Sequence, residues 1–472
     1  MPRTWGPWLA GTRRLLRLTD PVPSEAREVM RRRWADLPEG ARTRSQTLGR
    51  IGVGCEGTHG VFPRCNLTCH PCYHSQDANK VRVDGDHTLA EVARQMSLFR
   101  RRRGPRAHAQ LIGGEVSLLS PDAHAAALAA MRSAGREPMS MTHGDFDLDY
   151  LRNLVTGADG GLRLPRVSFA AHIDSLMRGR RGIPRPRAEH ELDEHRRAFA
   201  AMFARLRRET GLRYYLAHNM TVTPSNLQEV SGVVATVSGL DYSMMSFQPA
   251  ARVGDPRRWD ADLDRGVSID EVWQQVELGM GQEVAWQALQ VGDPRCNRSA
   301  FGLLVGDTWV PLLDPTSAAD LAFRDAVFHR VPGISLAADR KRTTAVKILR
   351  LAVTQPRLAV LTAGWVRRFL RRAGGGVHVA HAAVRGRVRP LTFVVHAFMD
   401  ASVVAPAWRA LSEGRLSEDP EVVAAQERLR ACAYSMAHPE TGELVPACVQ
   451  HSVLDPGENQ RLVTMLPMPT RR

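Results

Sequence analysis

The 472-residue sequence contains few cysteines and almost no lysine. It has seven cysteines, an odd and sparse number that does not indicate a disulfide framework. Only three of its 64 basic residues are lysines, so arginine supplies nearly all of the positive charge behind the net charge of +15. This skew is typical of GC-rich codon usage, and the sequence has no aromatic-interleaved basic motif of the RNA-binding kind. We therefore expect no nucleic-acid partner.

The sequence also lacks long apolar runs. No stretch approaches the ~20 residues that a membrane-spanning helix needs, and the first residues do not resemble a secretory signal. These absences lead us to expect a reducing, cytoplasmic location. Two basic amphipathic segments, at 5–17 and 340–351, are either ordinary packed helices or sites of peripheral contact with an anionic membrane. With 43% hydrophobic residues, the chain can form a large globular core.

The most informative feature that is present is a closely spaced cysteine triplet. Cys65, Cys69 and Cys72 follow the pattern CxxxCxxC, and an apolar segment about forty residues later ends in Gly-Gly-Glu at 113–115. Three thiolates this close can hold three irons of a [4Fe-4S] cluster and leave the fourth iron open for a chelating ligand. The alternative is a structural zinc site, although such sites usually pair two CxxC-like half-sites at longer spacing.

Strand-like and helix-like segments alternate from the triplet onward, which is typical of βα units around a parallel sheet. The pattern predicts an α/β fold, a partial (β/α)6 TIM-like barrel. Polar or glycine-rich residues fall near the carboxyl end of each strand, where barrel enzymes place their chemistry. The six predicted strands are at 58–64, 107–112, 138–143, 166–174, 213–223 and 242–248.

We expect four regions along the chain. A basic helical segment occupies 1–50, the barrel 51–255, a connecting segment 256–300, and an α+β C-terminal domain 301–472. The C-terminal domain is expected to cap the barrel mouth and to shape the substrate pocket. Its predicted elements are helices at 318–328, 340–353 and 422–434 and a strand at 390–398.

The triplet, the Gly-Gly-Glu and the βα units resemble the radical S-adenosylmethionine (radical SAM) superfamily over about 55–255. The resemblance implies that Cys65, Cys69 and Cys72 bind a [4Fe-4S] cluster whose open iron is chelated by SAM. A reductant, such as a flavodoxin- or ferredoxin-like donor, would then drive cleavage of SAM to a 5′-deoxyadenosyl radical that abstracts hydrogen from an unreactive carbon. The residues that the resemblance assigns to SAM binding are Tyr73, Gly113, Gly114, Glu115, Ser168, His172, Asp174, Asn219, Thr221 and Gln248.

One position departs from the family pattern. Family members usually place an aromatic residue just before the third cysteine, against the adenine of SAM, but this sequence has Pro71 there. Tyr73, one residue after the third cysteine, is the candidate substitute. For the polar residues on the last three predicted strands, an ordinary hydrogen-bonded or solvated side chain is the alternative.

Four cysteines lie outside the triplet. Four thiolates are the number needed for a second [4Fe-4S] cluster or for one rubredoxin-like iron. Isolated buried thiols are the alternative, because free cysteine packs as a small hydrophobe. These four residues are Cys55, Cys296, Cys432 and Cys448.

The last 80 residues or so carry a second resemblance. Segments 396–400 (HAFMD), 427–432 (ERLRAC) and 446–448 (PAC) resemble the tail of the radical SAM subgroup that contains archaeal tetraether-lipid synthases and pterin methylases, whose members carry extra iron sites. This resemblance implies a hydrophobic, lipid-like substrate that undergoes C–C coupling or methylation. The cysteine-rich N-terminal region of the archaeal enzymes is absent here. The alternatives are a pterin- or peptide-modifying radical SAM enzyme and a non-catalytic metal-binding module.

Overall fold

The computed structural model describes residues 19–469 except 75, 106, 254–265, 335 and 337–340. The predicted amphipathic segment at 5–17 therefore lies outside the described residues. Helices α1 to α15 are Ser24–Asp36, Gly85–Arg103, Pro121–Ser133, Leu148–Val155, Asp193–Thr210, Val230–Ser238, Ile269–Met280, Ala318–Arg330, Lys341–Thr354, Pro356–Arg372, Gly376–Val384, Ala401–Ser412, Pro420–Arg430, Ala447–Val449 and Asp455–Met465. Strands β1 to β13 are Cys55–Gly57, Thr68–Cys69, Ala107–Leu111, Arg136–Thr142, Arg166–His172, Met177–Arg178, Arg213–Val222, Met244–Pro249, Asn297–Val305, Thr308–Pro311, Val388–His396, Tyr434–His438 and Glu443–Pro446.

An eleven-stranded sheet forms the centre of the molecule, in the order β10-β9-β11-β8-β7-β5-β4-β3-β1-β12-β13. The strands from β11 to β12 in this order are all parallel to their neighbours. Antiparallel pairing is confined to the two ends, where β9, β10 and β13 lie. The mostly parallel sheet curls into a half-barrel, which confirms the predicted α/β fold and partial TIM-like barrel.

The outer face of the sheet packs against helices. Phe169 on β5 contacts Phe203 on α5, with 5.2 Å between ring centroids, and both side chains are fully buried. Because side chains alternate along a strand, Ser168 and His172 project from the opposite, concave face of β5. The apolar core therefore lies between the sheet and the helices, and the polar strand positions are left for the inside of the half-barrel.

The first predicted strand was wrong by several residues. β1 ends at Gly57, and residues 58–64 form a loop although Val61 and Phe62 are each only 1% exposed. The apolar residues that suggested a strand instead cover the end of the sheet from within a loop. The other five predicted strands correspond to β3, β4, β5, β7 and β8.

The C-terminal part of the chain adds strands on both sides of the strands β1 to β8. β11 pairs in parallel with β8, and β12 pairs in parallel with β1. The strand predicted at 390–398 corresponds to β11, whereas β9, β10, β12 and β13 were not predicted. One sheet thus includes strands from both halves of the chain, and the domain boundaries stay a prediction.

Helices α9 and α10 lie within the C-terminal half and expose several aliphatic side chains. The predicted amphipathic segment at 340–351 falls largely within α9. Within the described ranges, no helix combines the length and the apolar character needed to cross a bilayer. The exposed aliphatic residues are Val346, Ile348, Leu349 and Val353 on α9 and Val360 and Val366 on α10.

Candidate active site

The three closely spaced cysteines lie in the loop between β1 and α2, at the carboxyl end of the parallel sheet. We call Cys65, Cys69 and Cys72 the loop cysteines; all three are half-buried and none forms a disulfide. β2, which contains Cys69, pairs with β6 and so ties the loop to the segment that follows β5. The N–H of Cys65 donates to Oδ1 of Asn79 at 3.0 Å. The loop is therefore fixed to the protein on both sides.

Gly113 and Gly114 allow the chain after β3 to lie against the backbone that leads into the cysteine loop. The N–H of Gly114 donates to the carbonyl of Phe62 at 2.7 Å. A Cβ on Gly114 would lie 1.9 Å from the carbonyl oxygen of Arg64, and one on Gly113 would lie 2.5 Å from the Phe62 ring. Glycine is required at both positions because any side chain would displace the backbone just before Cys65.

The carboxylate of Glu115 is fully buried and engaged on both oxygens. Oε1 accepts hydrogen bonds from the hydroxyl of Thr142 at 2.7 Å and the N–H of Ser117 at 2.9 Å. Oε2 accepts from the N–H of His143 at 2.8 Å. Glu115 thus joins the carboxyl ends of β3 and β4, and its predicted contact with SAM stays a prediction.

Asp174, His172 and Thr221 form one hydrogen-bonded group at the ends of β5 and β7. Oδ2 of Asp174 accepts from Nε2 of His172 at 2.7 Å and from the N–H of Thr221 at 3.0 Å. Burial favours the neutral acid, but His172 and the donors from Thr221 and Leu176 outweigh it and lower the pKa of Asp174. The structure therefore brings the predicted residues His172 and Thr221 within hydrogen-bonding distance of the buried carboxylate of Asp174, which was also predicted.

Asn219 and Gln248 lie beside this group on the concave face. The strand register pairs His172 with Asn219 and Thr221 with Gln248. Oδ1 of Asn219 and Oε1 of Gln248 are buried and find no hydrogen-bond partner among the residues that the structure describes. Buried polar atoms are nearly always satisfied, so these two acceptors suit a polar ligand. Ser168 shares this face but lies four residues before the end of β5.

Arg180 was not predicted, because a single arginine carries no signal in an arginine-rich sequence. It is 1% exposed, and its Nη1 donates to the carbonyl of His143 and to Nε2 of His195, both at 2.7 Å. Burial lowers the pKa of Arg180, and neighbouring acidic groups that include Asp174 and Cys69 oppose this shift. Arg180 is thus a buried cation within electrostatic reach of a loop cysteine.

Tyr73 lies at the C-terminal side of the loop cysteines. Its ring centroid is 4.5 Å from that of His74 and 4.3 Å from that of His451. Burial raises the pKa of Tyr73, and the neighbouring Cys72 thiol adds to the shift. His74 in turn donates from Nε2 to the carbonyl of Gly113 at 2.7 Å. Tyr73 is therefore close to the Gly-Gly segment, and its predicted adenine contact stays a prediction.

The four remaining cysteines, which we call the dispersed cysteines, come together although they are far apart in sequence. Cys55 begins β1, and its N–H donates to the carbonyl of Ala433 at 2.6 Å, next to Cys432. Burial raises the pKa of the Cys296 and Cys448 thiols, and the nearby Cys432 thiol adds to both shifts and also lies within electrostatic reach of Cys55, which is exposed. Cys432 is thus the common neighbour of the other three.

Neither set of cysteines has the spacing of a site for one tetrahedral ion. Metal–sulfur bonds of about 2.3 Å place the sulfurs of such a site roughly 3.8 Å apart. Within the described part of the chain, the metal-donor atoms of His59, His438 and Glu458 lie within 4.8 Å of one another, and no cysteine belongs to such a group of three.

A cavity of about 440 Å³ opens at the carboxyl ends of β8 and β11. Nε of Arg428, on its wall, donates to Sγ of Cys296 at 3.1 Å, so the cavity adjoins the dispersed cysteines. Its lining combines apolar, basic and acidic side chains, among them Phe398, Met399, Val403, Arg252, Arg295, Arg428, Asp400 and Glu421.

No protein-family model and no curated protein matches this sequence. Among solved structures, it is similar to anSMEcpe with bound AdoMet, at 12% identity and a TM-score of 0.28, over 41% of this chain and 50% of that one. It is also similar to Streptococcus suis SuiB bound to precursor peptide SuiA, at 12% identity and a TM-score of 0.29, over 42% and 39% of the two chains. The chain thus spans about half the length, or less, of these proteins.

Proposed function

We propose that this protein is a radical SAM enzyme. The observation that supports the proposal is the position of the loop cysteines. These three thiols lie at the carboxyl end of a parallel half-barrel, beside two glycines that cannot carry a side chain. The buried acceptors of Asn219 and Gln248 project from the same concave face. This combination suits a cluster with one open iron that holds a small polar ligand.

Each group of residues has a defined task in this proposal. The loop cysteines bind three irons, and a reduced cluster, when bound, supplies the electron for the reductive cleavage of SAM. Arg180 is a buried cation within electrostatic reach of Cys69, so it would offset part of the negative charge of a cluster bound there. Asn219 and Gln248 accept hydrogen bonds from the hydroxyl and amino groups of SAM, and the Asp174 carboxylate holds His172 in place.

The direct test is the formation of 5′-deoxyadenosine by anaerobically reconstituted protein with a strong reductant. We expect Cys69→Ala to abolish this product and to remove about four irons per chain. Cys296→Ala, outside the cysteine loop, is the matched control and should keep SAM cleavage. Full activity in the Cys69→Ala variant would contradict the proposal, as would zinc in place of iron in the wild type.

The dispersed cysteines support a second [4Fe-4S] cluster in the same enzyme. Cys432 lies within electrostatic reach of the other three thiols, so four thiols are available in one region. We expect about eight irons per wild-type chain and about four in a variant that lacks Cys296, Cys432 and Cys448. Four irons in both proteins would contradict a second cluster.

For the substrate, we propose a hydrophobic, lipid-like molecule that undergoes C–C coupling or methylation. Phe398, Met399 and Val403 give the cavity an apolar wall, and Arg428 links it to the dispersed cysteines. Reaction with a lipid extract, followed by mass spectrometry, distinguishes the loss of hydrogen in coupling from the gain of a methyl group. Products found only with pterins or peptides would favour the alternative substrates.

The exposed aliphatic residues of α9 and α10 support contact with an anionic membrane, from which such a substrate would be taken. Ile348 and Leu349 are 52% and 65% exposed, and Arg342 and Arg357 are exposed nearby. Apolar insertion combined with basic charge is the pattern of interfacial helices. We expect co-flotation with phosphatidylglycerol vesicles that is lost in the double variant Ile348→Asp/Leu349→Asp. Equal flotation of both proteins would contradict membrane contact.

A further inference from the structure

Two histidines lie side by side at the carboxyl ends of β1 and β12. The register of these parallel strands pairs Gly57 with Met436, so His59 and His438 follow at equivalent positions two residues later. Their rings stack with 4.1 Å between centroids and 22° between planes. Neither residue belongs to the loop cysteines or the dispersed cysteines. The sheet register itself therefore creates this histidine pair.

A carboxylate from the C-terminal helix completes the group. Glu458, on α15, places Oε2 2.9 Å from Nδ1 of His59 and Oε1 3.5 Å from Nδ1 of His438. The three side chains are only 10–12% exposed. One donor atom from each residue lies within 4.8 Å of the other two. Two imidazoles and one carboxylate from three separate segments thus converge on one point.

The outer nitrogen of His59 is fixed by a backbone acceptor. Nε2 of His59 lies 2.6 Å from the carbonyl oxygen of Ala437. The Ala437 carbonyl and the Glu458 carboxylate both accept, so the ring donates from Nε2 to Ala437 and from Nδ1 to Glu458, and a metal ion would replace the proton on Nδ1. This assignment follows from the hydrogen-bond network.

The outer nitrogen of His438 is fixed in the same way by an amide. Nε2 of His438 lies 2.6 Å from Oε1 of Gln450. The Gln450 amide nitrogen donates to Asp455 at 2.7 Å and to Glu458 at 2.8 Å, which sets the orientation of the amide. Gln450 therefore accepts from Nε2 of His438, which leaves Nδ1 of His438 facing the carboxylate at 3.5 Å.

We propose that His59, His438 and Glu458 bind one divalent transition-metal ion, of the Zn²⁺ or Fe²⁺ class. Two histidines and one carboxylate are a common donor set for these ions and leave coordination positions open. Metal-binding histidines usually donate their second ring N–H to a carbonyl or another fixed acceptor, as both histidines do here. The lone pair of an imidazole nitrogen lies in the ring plane, so the ion would lie at the Nδ1 edge of the stacked rings, beside Glu458.

The ion would hold the C-terminal helix against the sheet beside the cysteine loop. Leu462 and Leu466, beyond Glu458, pack with Val81, which follows the loop. The N–H of Arg82 donates to the carbonyl of Leu466 at 2.8 Å. A bond from Glu458 to the two histidines therefore connects β1, β12 and the cover of the loop. This inference does not depend on the proposed reaction.

The test is zinc binding to the cluster-loaded protein, measured by equilibrium dialysis with separate counts of zinc and iron. We expect the wild type to bind about one zinc per chain, and Glu458→Gln and His438→Phe to lose it while their iron content is unchanged. Gln450→Leu should weaken zinc binding about 10–100-fold, because it releases the second ring nitrogen of His438. Zinc should also raise the unfolding temperature of the wild type but not of the Glu458→Gln variant.

Glu440→Gln is the matched control, since Glu440 is near His438 in sequence but pairs with Arg94. It should bind zinc as the wild type does. Equal zinc binding by the wild type and His438→Phe would overturn the proposal. So would the absence of zinc binding in the wild type, which would leave a protonated His59 paired with Glu458 as the state of the site. Failure of the cluster proposal would appear in the iron count, whereas failure of this proposal would appear in the zinc count.

Discussion

The two sets of cysteines arise in different ways. The loop cysteines fall within eight residues of sequence, 65–72, and a single loop positions them. The dispersed cysteines extend from Cys55 to Cys448: the pairing of β1 with β12 brings Cys55 close to Cys432, whereas Cys296 precedes β9, which pairs with β11. The first set is thus defined by local sequence, and the second by tertiary structure.

This difference predicts different sensitivities. The geometry of the loop cysteines depends on the few residues that shape one turn, above all Gly113 and Gly114. The geometry of the dispersed cysteines depends on the packing around β1, an internal strand between β3 and β12. A change in the loop should therefore affect one metal site alone, whereas a change around β1 should affect the dispersed set first. Three predictions test this contrast, from the largest expected effect to the smallest.

Gly114→Ala should remove the cluster of the loop cysteines. The new Cβ would lie 1.9 Å from the carbonyl oxygen of Arg64, a backbone atom that cannot move away without shifting the start of the loop. We expect loss of SAM cleavage, loss of about half of the bound iron, and a decrease of ~4 kcal/mol or more in the free energy of unfolding. Iron analysis and urea unfolding measure these effects.

Gly232→Ala is the matched control for this substitution. Gly232 lies exposed on α6, and a Cβ there would meet no atom within 4 Å. Alanine should stabilise this helix by up to ~1 kcal/mol and leave the iron content unchanged. Retention of both iron and SAM cleavage in Gly114→Ala would show that the close approach to Arg64 does not position the loop.

Arg136→Met should weaken the part of the sheet around β1, where Cys55 lies. Arg136, on β4, pairs with Glu56 at 2.9 Å, and both side chains are fully buried. Removal of the arginine leaves the buried carboxylate of Glu56, next to Cys55 in sequence, without its ion-pair partner. This should lower the free energy of unfolding by ~3 kcal/mol or more. We expect a lower free energy of unfolding and a loss of iron mainly from the dispersed set.

The double variant Glu56→Leu/Arg136→Met separates charge from packing in that experiment. It removes both members of the pair and should recover most of the lost stability, because no buried charge remains. Mössbauer or EPR spectra of the reduced proteins would show which cluster is lost. Equal loss of both clusters in Arg136→Met would contradict the contrast between the two sets.

The same contrast explains how much the sequence could predict. Five core strands were predicted because continuous apolar segments between helical patterns are a local signal, and β5, β7 and β8 carry it clearly. β12 and β13 are short and lie in a polar tail, so they gave no such signal. Residues 58–64 were misjudged because Phe62 is buried from a loop, a tertiary contact that periodicity does not encode.

Site residues follow the same rule. The loop cysteines and the Gly-Gly segment were identified from spacing, which the sequence shows directly. Arg180 and the pair of His59 with Glu458 were missed, because their partners are set by strand order and by the C-terminal helix. The position of Cys432 among the other dispersed cysteines was left open for the same reason, since no spacing rule links residues so far apart.

Iron release in acid is the mildest way to compare the two sets of cysteines. The stability of the fold in acid limits how low the pH can be taken in this experiment. His124, on α3, is fully buried between Tyr150 and Ser140, with its ring nitrogens 3.0 and 2.7 Å from their hydroxyl oxygens. Burial lowers the pKa of His124 to about 3. The folded protein therefore keeps this ring neutral at pH 5, whereas the unfolded chain takes up a proton below its ordinary pKa of ~6.5.

Because the unfolded state binds the extra proton, the stability that His124 contributes is complete above pH 6.5 and is lost as the pH falls towards 3. At pH 5 the expected loss is about 2 kcal/mol. His124→Gln cannot take up this proton, so its free energy of unfolding should fall by about 2 kcal/mol less than that of the wild type between pH 7.5 and 5. Urea unfolding at the two pH values measures the difference. Equal decreases in the free energy of unfolding of the two proteins would mean that His124 is already protonated in the folded state. Iron release in acid would then reflect the thiolates of both sets, without a contribution from this histidine.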